Sequence, residues 1–193
     1  IFSVFKKEPT PVQPPEVAGQ IPLRVVRTDP AAGRNEIRKC MLLAIRAARE
    51  RVWIENPYIA NDDIVEELEE AARRGVDVRV IIPSKNDSTI MDIGNKAFAN
   101  KLIKAGGKAY EYPRMTHMKV MICDGWACVG SANLDTLSLR INRELNLTFN
   151  DRAEVKRLVN QVFMPDFQVS KRRTAGDAVS STSSIAEAVA DQL

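Results

Sequence analysis

The sequence predicts an α/β fold built on a mixed, mostly parallel β-sheet, and three observations indicate it. Short apolar runs of strand length alternate along the chain with longer segments in which apolar residues recur at helical spacing. A strand over 51–55, a helix over 62–74 and a strand over 77–82 follow each other directly, an order typical of parallel strands joined by a helix. The Asp124-Gly125 pair, between two further apolar runs, predicts an antiparallel hairpin.

The first half of the chain contains the remaining helices and strands of this pattern. A strand over 21–27 leads into a helix that Asn35 caps and that runs to residue 50, with its apolar residues on one face. Gly75 is a suitable end for the second helix, because glycine readily adopts the left-handed conformation that follows a helix. Two further elements complete this half, a helix over 88–105 and a strand over 108–112.

The second half is predicted to consist mainly of strands, followed by a closing helix. Asp151 is suited to begin that last helix, because aspartate is a preferred N-cap residue. The predicted elements are hairpin strands over 118–123 and 126–129, a short helical turn over 134–140, a strand over 144–149 and a helix over 153–163 that continues toward residue 167.

The two ends of the chain differ in composition from the middle. Residues 1–20 are rich in proline, which predicts a semi-extended linker. Residues 169–193 become rich in serine, threonine and alanine, which predicts a flexible tail. The segment between them, residues 21–168, has the length of one domain. No apolar window of the sequence is long enough to predict a membrane span.

Composition narrows the classes of partner and cofactor. The net charge of +3 over 193 residues is mild, so the chain accommodates an anionic partner without requiring one. Aromatic residues make up only 6%, and no dense basic cluster with interleaved aromatics is present, which weakens the case for a nucleic-acid-binding module. Cys40, Cys123 and Cys128 lack metal-ligand spacing. We therefore expect buried, reduced thiols, no metal and no cofactor.

The single histidine of the chain stands in a pattern that suits phosphodiester chemistry. The pattern is H-x-K-x4-D followed by G-S-x-N, which comprises His117, Lys119, Asp124, Gly130-Ser131 and Asn133. Alternate residues of a strand point to the same face, so the predicted strand places the side chains of His117 and Lys119 together. The lysine can then hold the anionic oxygens of a phosphate while the imidazole attacks phosphorus or transfers a proton.

Further polar residues predict a ring of hydrogen-bond donors. Asn133 adds an amide, and Ser131 adds a hydroxyl and a backbone N–H, which would stabilise charge that grows on phosphate oxygens. Together with Lys119, these donors would stabilise the phosphate charge as a metal cation does in other enzymes, so no metal is required. Each residue alone has an ordinary interpretation, such as a surface histidine or a turn serine, but their joint spacing favours the functional one. For Asp124 the ordinary interpretation is favoured, because aspartate suits the first position of a hairpin turn.

This spacing resembles the HKD motif of the phospholipase D superfamily. The similarity extends over about residues 23–167 and is closest to bacterial cardiolipin synthase-like members in the segments 55–58, 73–78, 133–135 and 141–144. The best match is the C-terminal half of a two-motif enzyme. The resemblance implies an α/β/α sandwich, in which two motif-bearing halves meet about a pseudo-dyad and contribute to one active site.

The resemblance also implies a role for each site residue. His117 would be the nucleophile or the general acid, and Lys119 and Asn133 would bind the substrate phosphate with support from Ser131. Glu144 would accept a hydrogen bond from His117, which would raise the basicity of the imidazole and fix its tautomer. The residues of the motif region with an implied structural role are Asp124, Gly130 and Asp135.

Three functions remain open at this stage. The first is half of a cardiolipin synthase-like enzyme that cleaves or transfers a phosphatidyl group through a phosphohistidine, with the second histidine from another half or subunit. The second is a homodimeric single-motif endonuclease, and the third is a non-catalytic phosphate-binding module. The resemblance implies a phospholipid substrate, with nucleic acid as the alternative. It also implies a cytoplasmic catalytic part that reaches the membrane through the rest of a parent protein, while this piece of the chain is soluble.

Overall fold

Strands and helices alternate through residues 19–177, the part of the chain that the computed structural model describes. The elements, in chain order, are β1 (Arg24–Asp29), β2 (Arg34–Asn35), α1 (Glu36–Ala47), β3 (Arg51–Glu55), α2 (Asp62–Arg73), β4 (Asp77–Pro83), α3 (Thr89–Lys104), β5 (Lys108–Tyr112), β6 (Val120–Cys123), β7 (Trp126–Gly130), a π-helical turn (Leu137–Ile141), β8 (Glu144–Phe149), α4 (Arg152–Leu158), a π-helical segment (Val159–Phe163), α5 (Met164–Val169) and β9 (Lys171–Arg172).

The predicted elements are present, and most of their boundaries agree within a few residues. The strands β3, β5 and β8 begin and end where the sequence predicts. Two edge strands, β2 and β9, were not predicted, because each has only two residues and is too short to show a periodic pattern.

The strands form one mixed sheet in the order β2-β1-β8-β7-β6-β3-β4-β5-β9. The predicted α/β class and mixed sheet are confirmed, but the expectation that the sheet is mostly parallel is wrong. Among the described residues, only the pairs β3–β4 and β4–β5 are parallel, and the other neighbours are antiparallel. Parallel neighbours need a long crossover, usually a helix, and no long helix separates the strands from β5 to β8.

Helices cover both faces of this sheet, so the predicted α/β/α sandwich is confirmed. The helices α1, α2 and α3 pack on one face, where residues such as Ile45, Leu68 and Leu102 are buried. The helical segment from α4 to α5 packs on the other face, where Phe163 contacts Trp53 with ring centroids 5.9 Å apart. None of the helices in the described range 19–177 has both the length and the apolar character that crossing a membrane requires.

The ordered fold extends further toward the C-terminus than the predicted boundary at residue 168. The strand β9 pairs with β5, and the backbone N–H of Arg173 donates to the Ala109 carbonyl oxygen at 2.9 Å. The buried Arg173 guanidinium also forms an ion pair with Glu111. Residues 171–173 thus make contacts within the fold, and the flexible tail stays a prediction. Residues 1–18 of the predicted linker and residues 178–193 of the predicted tail lie outside the described residues.

We predict that Ile122→Ala lowers the free energy of unfolding by about 2–5 kcal/mol, because the side chain of Ile122 is fully buried in the layer beneath α4 and α5. Chemical denaturation measures this loss. The matched control is Leu43→Ala, since Leu43 is 64% exposed on α1 and its truncation should change stability by less than about 0.5 kcal/mol. Equal effects of the two substitutions would contradict the assigned core.

Candidate active site

Apart from Asp124, the residues of the motif converge at one end of the sheet because β6, β7 and β8 are adjacent antiparallel strands. Lys119 immediately precedes β6, Gly130 ends β7 and Glu144 begins β8. The backbone N–H of Gly130 donates to the carbonyl oxygen of Lys119 at 3.3 Å. The backbone N–H of Ser131 donates to the carbonyl oxygen of Leu145 at 3.1 Å. Three separate segments of the chain therefore meet at the same end of these three strands.

The structure brings His117 and Lys119 together, although both residues lie outside the strand. Strand β6 begins at Val120, so the predicted alternation of faces does not apply to them. The Lys119 Nζ lies 3.2 Å from the His117 Nε2 and donates a hydrogen bond to the His117 carbonyl oxygen, also at 3.2 Å. His117 is exposed and Lys119 is half-buried. An ammonium and an accessible imidazole thus lie side by side, an arrangement that can bind an anion and transfer a proton.

The charges of two carboxylates, Glu144 and Asp135, act on the ammonium of Lys119. Burial lowers the pKa of Lys119, whereas the charges of Glu144 and Asp135 oppose that change, and the net result is a pKa below the ordinary value. Asp135 is itself buried and accepts a hydrogen bond at 2.7 Å from the backbone N–H of Ser138, at the start of the π-helical turn. Asp135 therefore makes a hydrogen bond within the fold and also contributes to the electrostatic field at Lys119.

Glu144 is held by Ser131. The Ser131 hydroxyl donates to the Glu144 Oε2, and it accepts a hydrogen bond at 3.1 Å from the backbone N–H of Leu145. Within residues 19–177, no hydrogen bond joins Glu144 to His117, so the predicted contact between these two residues stays a prediction. The Glu144 Oε1 carries no hydrogen bond there, which leaves one carboxylate oxygen for such a contact.

Asn146 is a site residue that the sequence analysis missed. Its buried Oδ1 accepts hydrogen bonds from the backbone N–H groups of Ser131 at 3.1 Å and Ala132 at 3.2 Å. The predicted Ser131 N–H donor is therefore already used within the chain and is not free for a phosphate. A polar residue at an inward-facing position of the alternating strand β8 was the signal that could have revealed Asn146.

Gly130 is required because Asn146 approaches its backbone closely. A Cβ atom at position 130 would lie 2.3 Å from the Asn146 Oδ1 and 2.5 Å from the Leu145 carbonyl oxygen. Glycine thus allows the loop that bears Ser131 to lie against β8. Asn133, in the same loop, is half-buried, and its buried Oδ1 has no hydrogen-bond partner in the described structure.

Asp124 lies at the opposite end of β6 from Lys119. The four residues between them, the x4 of the motif, are the whole of strand β6. The Asp124 carboxylate accepts hydrogen bonds of 2.8, 2.9 and 2.9 Å from the backbone N–H groups of residues 49–51, which lead into β3. Asp124 therefore links the hairpin to the neighbouring strand through these hydrogen bonds.

A shallow cleft of about 300 Å³ lies beside Ser131 and Glu144. Arg27, Arg143 and Asp29 also line it, so the cleft contains two arginines and two carboxylates, and Arg143 forms an ion pair with Asp29 at 3.5 Å. No group of histidine, cysteine or acidic residues in the described part of the chain could hold a metal ion.

Comparison with known proteins identifies the class of domain. A family model described as "Cardiolipin synthase, PLD-like domain" matches residues 41–166. The chain therefore belongs to this cardiolipin synthase-like family of phospholipase D-like domains, as the motif predicted.

Two curated relatives show the same similarity. The chain is 37% identical to Cardiolipin synthase A of Pseudomonas entomophila (strain L48) over 158 residues, which cover 80% of this chain and 33% of the relative. It is 39% identical to Probable cardiolipin synthase YwiE of Bacillus subtilis (strain 168) over 131 residues, which cover 66% of this chain and 26% of the relative. The chain thus spans about a third of the length of these relatives or less.

Solved structures share the fold. Nuc from Salmonella typhimurium, described as a phospholipase D family member, superposes with a TM-score of 0.68 at 20% identity, over 80% of this chain and 99% of that chain. Phosphatidylserine synthase from Haemophilus influenzae superposes with a TM-score of 0.65 at 14% identity, over 88% of this chain and 46% of that chain. At these identities the similarity establishes the fold alone.

We predict that Gly130→Ala destabilises the protein by about 1–3 kcal/mol, because the added methyl group overlaps Asn146 and the Leu145 backbone. Thermal or chemical denaturation measures the effect. The control is Gly94→Ala in α3, where a Cβ atom meets nothing within 4 Å. Alanine there should stabilise the helix by about 0.5–1 kcal/mol. A Gly130→Ala variant as stable as the parent would show that the close approach of Asn146 is not a constraint.

We predict that Asp124→Asn lowers the free energy of unfolding by about 1–3 kcal/mol near neutral pH, because a charged acceptor of three N–H groups is lost. Burial raises the pKa of Asp124, but the backbone N–H groups outweigh it and hold the pKa below the ordinary 3.8. The stabilisation is therefore complete above 3.8 and is lost as the pH falls through the folded-state pKa.

Denaturation of both proteins across the acid range measures this difference. The control Glu66→Gln changes an exposed carboxylate in α2 and should alter stability by less than about 0.5 kcal/mol. A difference between Asp124→Asn and the parent that stays constant into strong acid would contradict the assigned role of the ionised carboxylate.

Proposed function

We propose that this chain is one motif-bearing half of a cardiolipin synthase-like enzyme of the phospholipase D type, which cleaves or transfers a phosphatidyl group. The observation that carries the proposal is the 3.2 Å contact between the Lys119 Nζ and the His117 Nε2. This contact lies at the end of the strands where Ser131 and Glu144 also lie. Family membership and the names of the relatives support a phospholipid diester as the substrate.

The proposed reaction has two steps and uses two imidazoles, one of which is His117. In the first step, an imidazole nitrogen forms a bond to phosphorus while the bond to the leaving oxygen breaks, and the second imidazole protonates that oxygen. In the second step, water or a lipid hydroxyl attacks the phosphohistidine. The second imidazole removes the proton of this attacking group, and the phosphorus–nitrogen bond breaks to restore the first histidine.

Side chains of this half stabilise the phosphate in the proposed reaction. The Lys119 ammonium and the Asn133 amide bind the anionic oxygens, whose charge grows in the transition state. Ser131 supports the site by holding Glu144 through its hydroxyl. The remaining Glu144 oxygen accepts a hydrogen bond from His117 in the assembled site and sets the tautomer of the imidazole.

This sequence contains one histidine, so the second imidazole of the proposed reaction comes from another half or another subunit. We propose that a second motif-bearing half, in the remainder of a parent protein, supplies it. The relatives have room for such a half, because this chain covers only about a third of their length. In the same proposal the remainder of the parent protein provides membrane association, and the catalytic part acts on the cytoplasmic side.

We predict that Lys119→Ala lowers kcat of the assembled enzyme about 100- to 1,000-fold, because the ammonium that stabilises the phosphate is lost. The free energy of unfolding should stay nearly unchanged, since Lys119 is half-buried and belongs to neither hydrophobic cluster of the core. Turnover of a chromogenic phosphodiester measures the effect. The control Lys39→Ala removes an exposed lysine of α1 and should leave turnover unchanged. A Lys119→Ala enzyme with parental turnover would refute the phosphate-binding role.

Light scattering with a turnover assay separates the proposal from its two alternatives. An inert monomer that turns over a phosphodiester only when a second motif-bearing half is added supports the proposal. An active homodimer that loses turnover on His117→Ala supports an endonuclease-type arrangement. The Nuc structure shows that a chain can consist of little more than one domain of this fold, since the match covers 99% of that chain. Binding of phosphate without turnover in any combination supports the non-catalytic module.

A further inference from the structure

Glu55 is a buried carboxylic acid that the proposed mechanism does not use. It is the last residue of β3, it lies opposite Val120 of β6, and only 1% of its surface is exposed. Glu55 and Trp53 are two residues apart in β3, so their side chains lie on the same face of the sheet. This is the face covered by α4 and α5. A carboxyl group in such a position needs specific partners, because burial strongly disfavours its ionised form.

One partner of Glu55 is the residue next to His117 in the sequence. The hydroxyl of the buried Thr116 donates to the Glu55 Oε1. The Thr116 Oγ1 in turn accepts a hydrogen bond at 3.4 Å from the backbone N–H of Met118. Both neighbours of His117 are thereby connected to the end of β3.

These contacts matter because the segment that bears His117 has little other support. Residues 113–119 belong to no helix or strand. Apart from the contacts between Lys119 and His117, the hydrogen bonds that residues 113–118 make within the described part of the chain are those of Thr116. His117 itself is exposed, so packing does not hold its imidazole. Glu55 therefore anchors the segment at its one buried polar side chain.

The second carboxyl oxygen of Glu55 indicates that Glu55 is protonated and shares this proton with a neighbouring group. The Glu55 Oε2 is buried and has no hydrogen-bond partner among the described residues. Burial, together with the neighbouring Asp166 of α5 and against the effect of Thr116, raises the pKa of Glu55 to about 7. The charge of Asp166 adds to burial in disfavouring the ionised form, so Glu55 retains its proton up to a pH of about 7. A proton on the Glu55 Oε2 would satisfy this oxygen as a donor to Asp166.

We propose that Glu55 is a positioning residue, which holds the segment bearing His117 against the sheet through Thr116 while it shares a proton with Asp166. The catalytic consequence rests on the proposed function, whereas the contact itself does not. Glu55 touches neither the phosphate nor His117, and it acts by fixing where the imidazole stands. Small displacements of a reacting group cost about 10- to 100-fold in rate, so this anchor sets how well His117 is aligned.

The test uses the fact that His117 is the only histidine of the chain, so its imidazole NMR signals are unambiguous. Thr116→Val keeps the shape of the side chain and removes the hydroxyl that binds Glu55. We expect the imidazole signals to move toward those of an unstructured peptide and to narrow, while Thr116→Ser restores the parental signals. The control Thr148→Val removes another buried hydroxyl, in β8, and should leave the imidazole signals in place.

The shared proton has its own measurement. At a pH below about 7 and above the usual range of a glutamate, the infrared spectrum should contain the band of an unionised carboxylic acid, and Glu55→Gln should remove it. Glutamine still accepts from Thr116 and donates to Asp166, so this variant should keep the parental imidazole signals. Glu55→Ala should shift the imidazole signals away from their parental positions, as Thr116→Val does.

Several results would overturn the inference. Unchanged imidazole signals in Thr116→Val would show that Glu55 does not position His117. A Glu55→Gln variant as disturbed as Glu55→Ala, with no acid band in the parent, would exclude the shared proton. In the assembled enzyme, Thr116→Val should lower kcat about 10- to 100-fold with KM unchanged. The spectroscopic results need only this chain, so an absence of turnover in every combination would count against the proposed function and not against the anchor.

Discussion

The antiparallel register of β6, β7 and β8 is the constraint on which the candidate site depends. This register places the backbone of Lys119 against Gly130 and the backbone of Ser131 against Leu145. A slip of one residue would turn each side chain of a strand to the opposite face. The absence of a side chain at Gly130 and the buried amide of Asn146 oppose such a slip, because they fit together only in this alignment. The positions of the reactive groups therefore follow from backbone pairing.

The spacing of the motif has a direct structural meaning in this protein. Lys119 and Asp124 stand at the two ends of β6, and the four residues between them are buried. Asp124 binds the backbone that leads into β3, so it fixes one end of the strand, and Lys119 presents its ammonium at the other end. The chemistry of the site and the anchoring of the hairpin are thus separated by the length of one short central strand.

Charge at the site is balanced within the chain itself. The Lys119 ammonium is partly desolvated, and it lies within the field of Glu144 and Asp135. Both carboxylates are held by hydrogen bonds of their own, from Ser131 and from the Ser138 backbone. Charged groups that are already oriented need little rearrangement when charge develops on a bound phosphate. The arrangement suits a site that handles an anion with side chains alone.

Local patterns in the sequence determined the helices, most strands, the hairpin turn and the chemical types of the site residues, because periodicity and turn chemistry act over short distances. The pairing of His117 with Lys119 was also foreseen, although the reason given for it, a shared strand face, does not hold. The mostly parallel sheet was wrong, because strand direction depends on which distant strands become neighbours. Only the tertiary structure showed that Asn146 occupies the Ser131 N–H and that Glu55 binds Thr116. Each of these contacts joins residues that are distant in the chain, and a hydrogen bond between such residues leaves no periodic trace in the sequence.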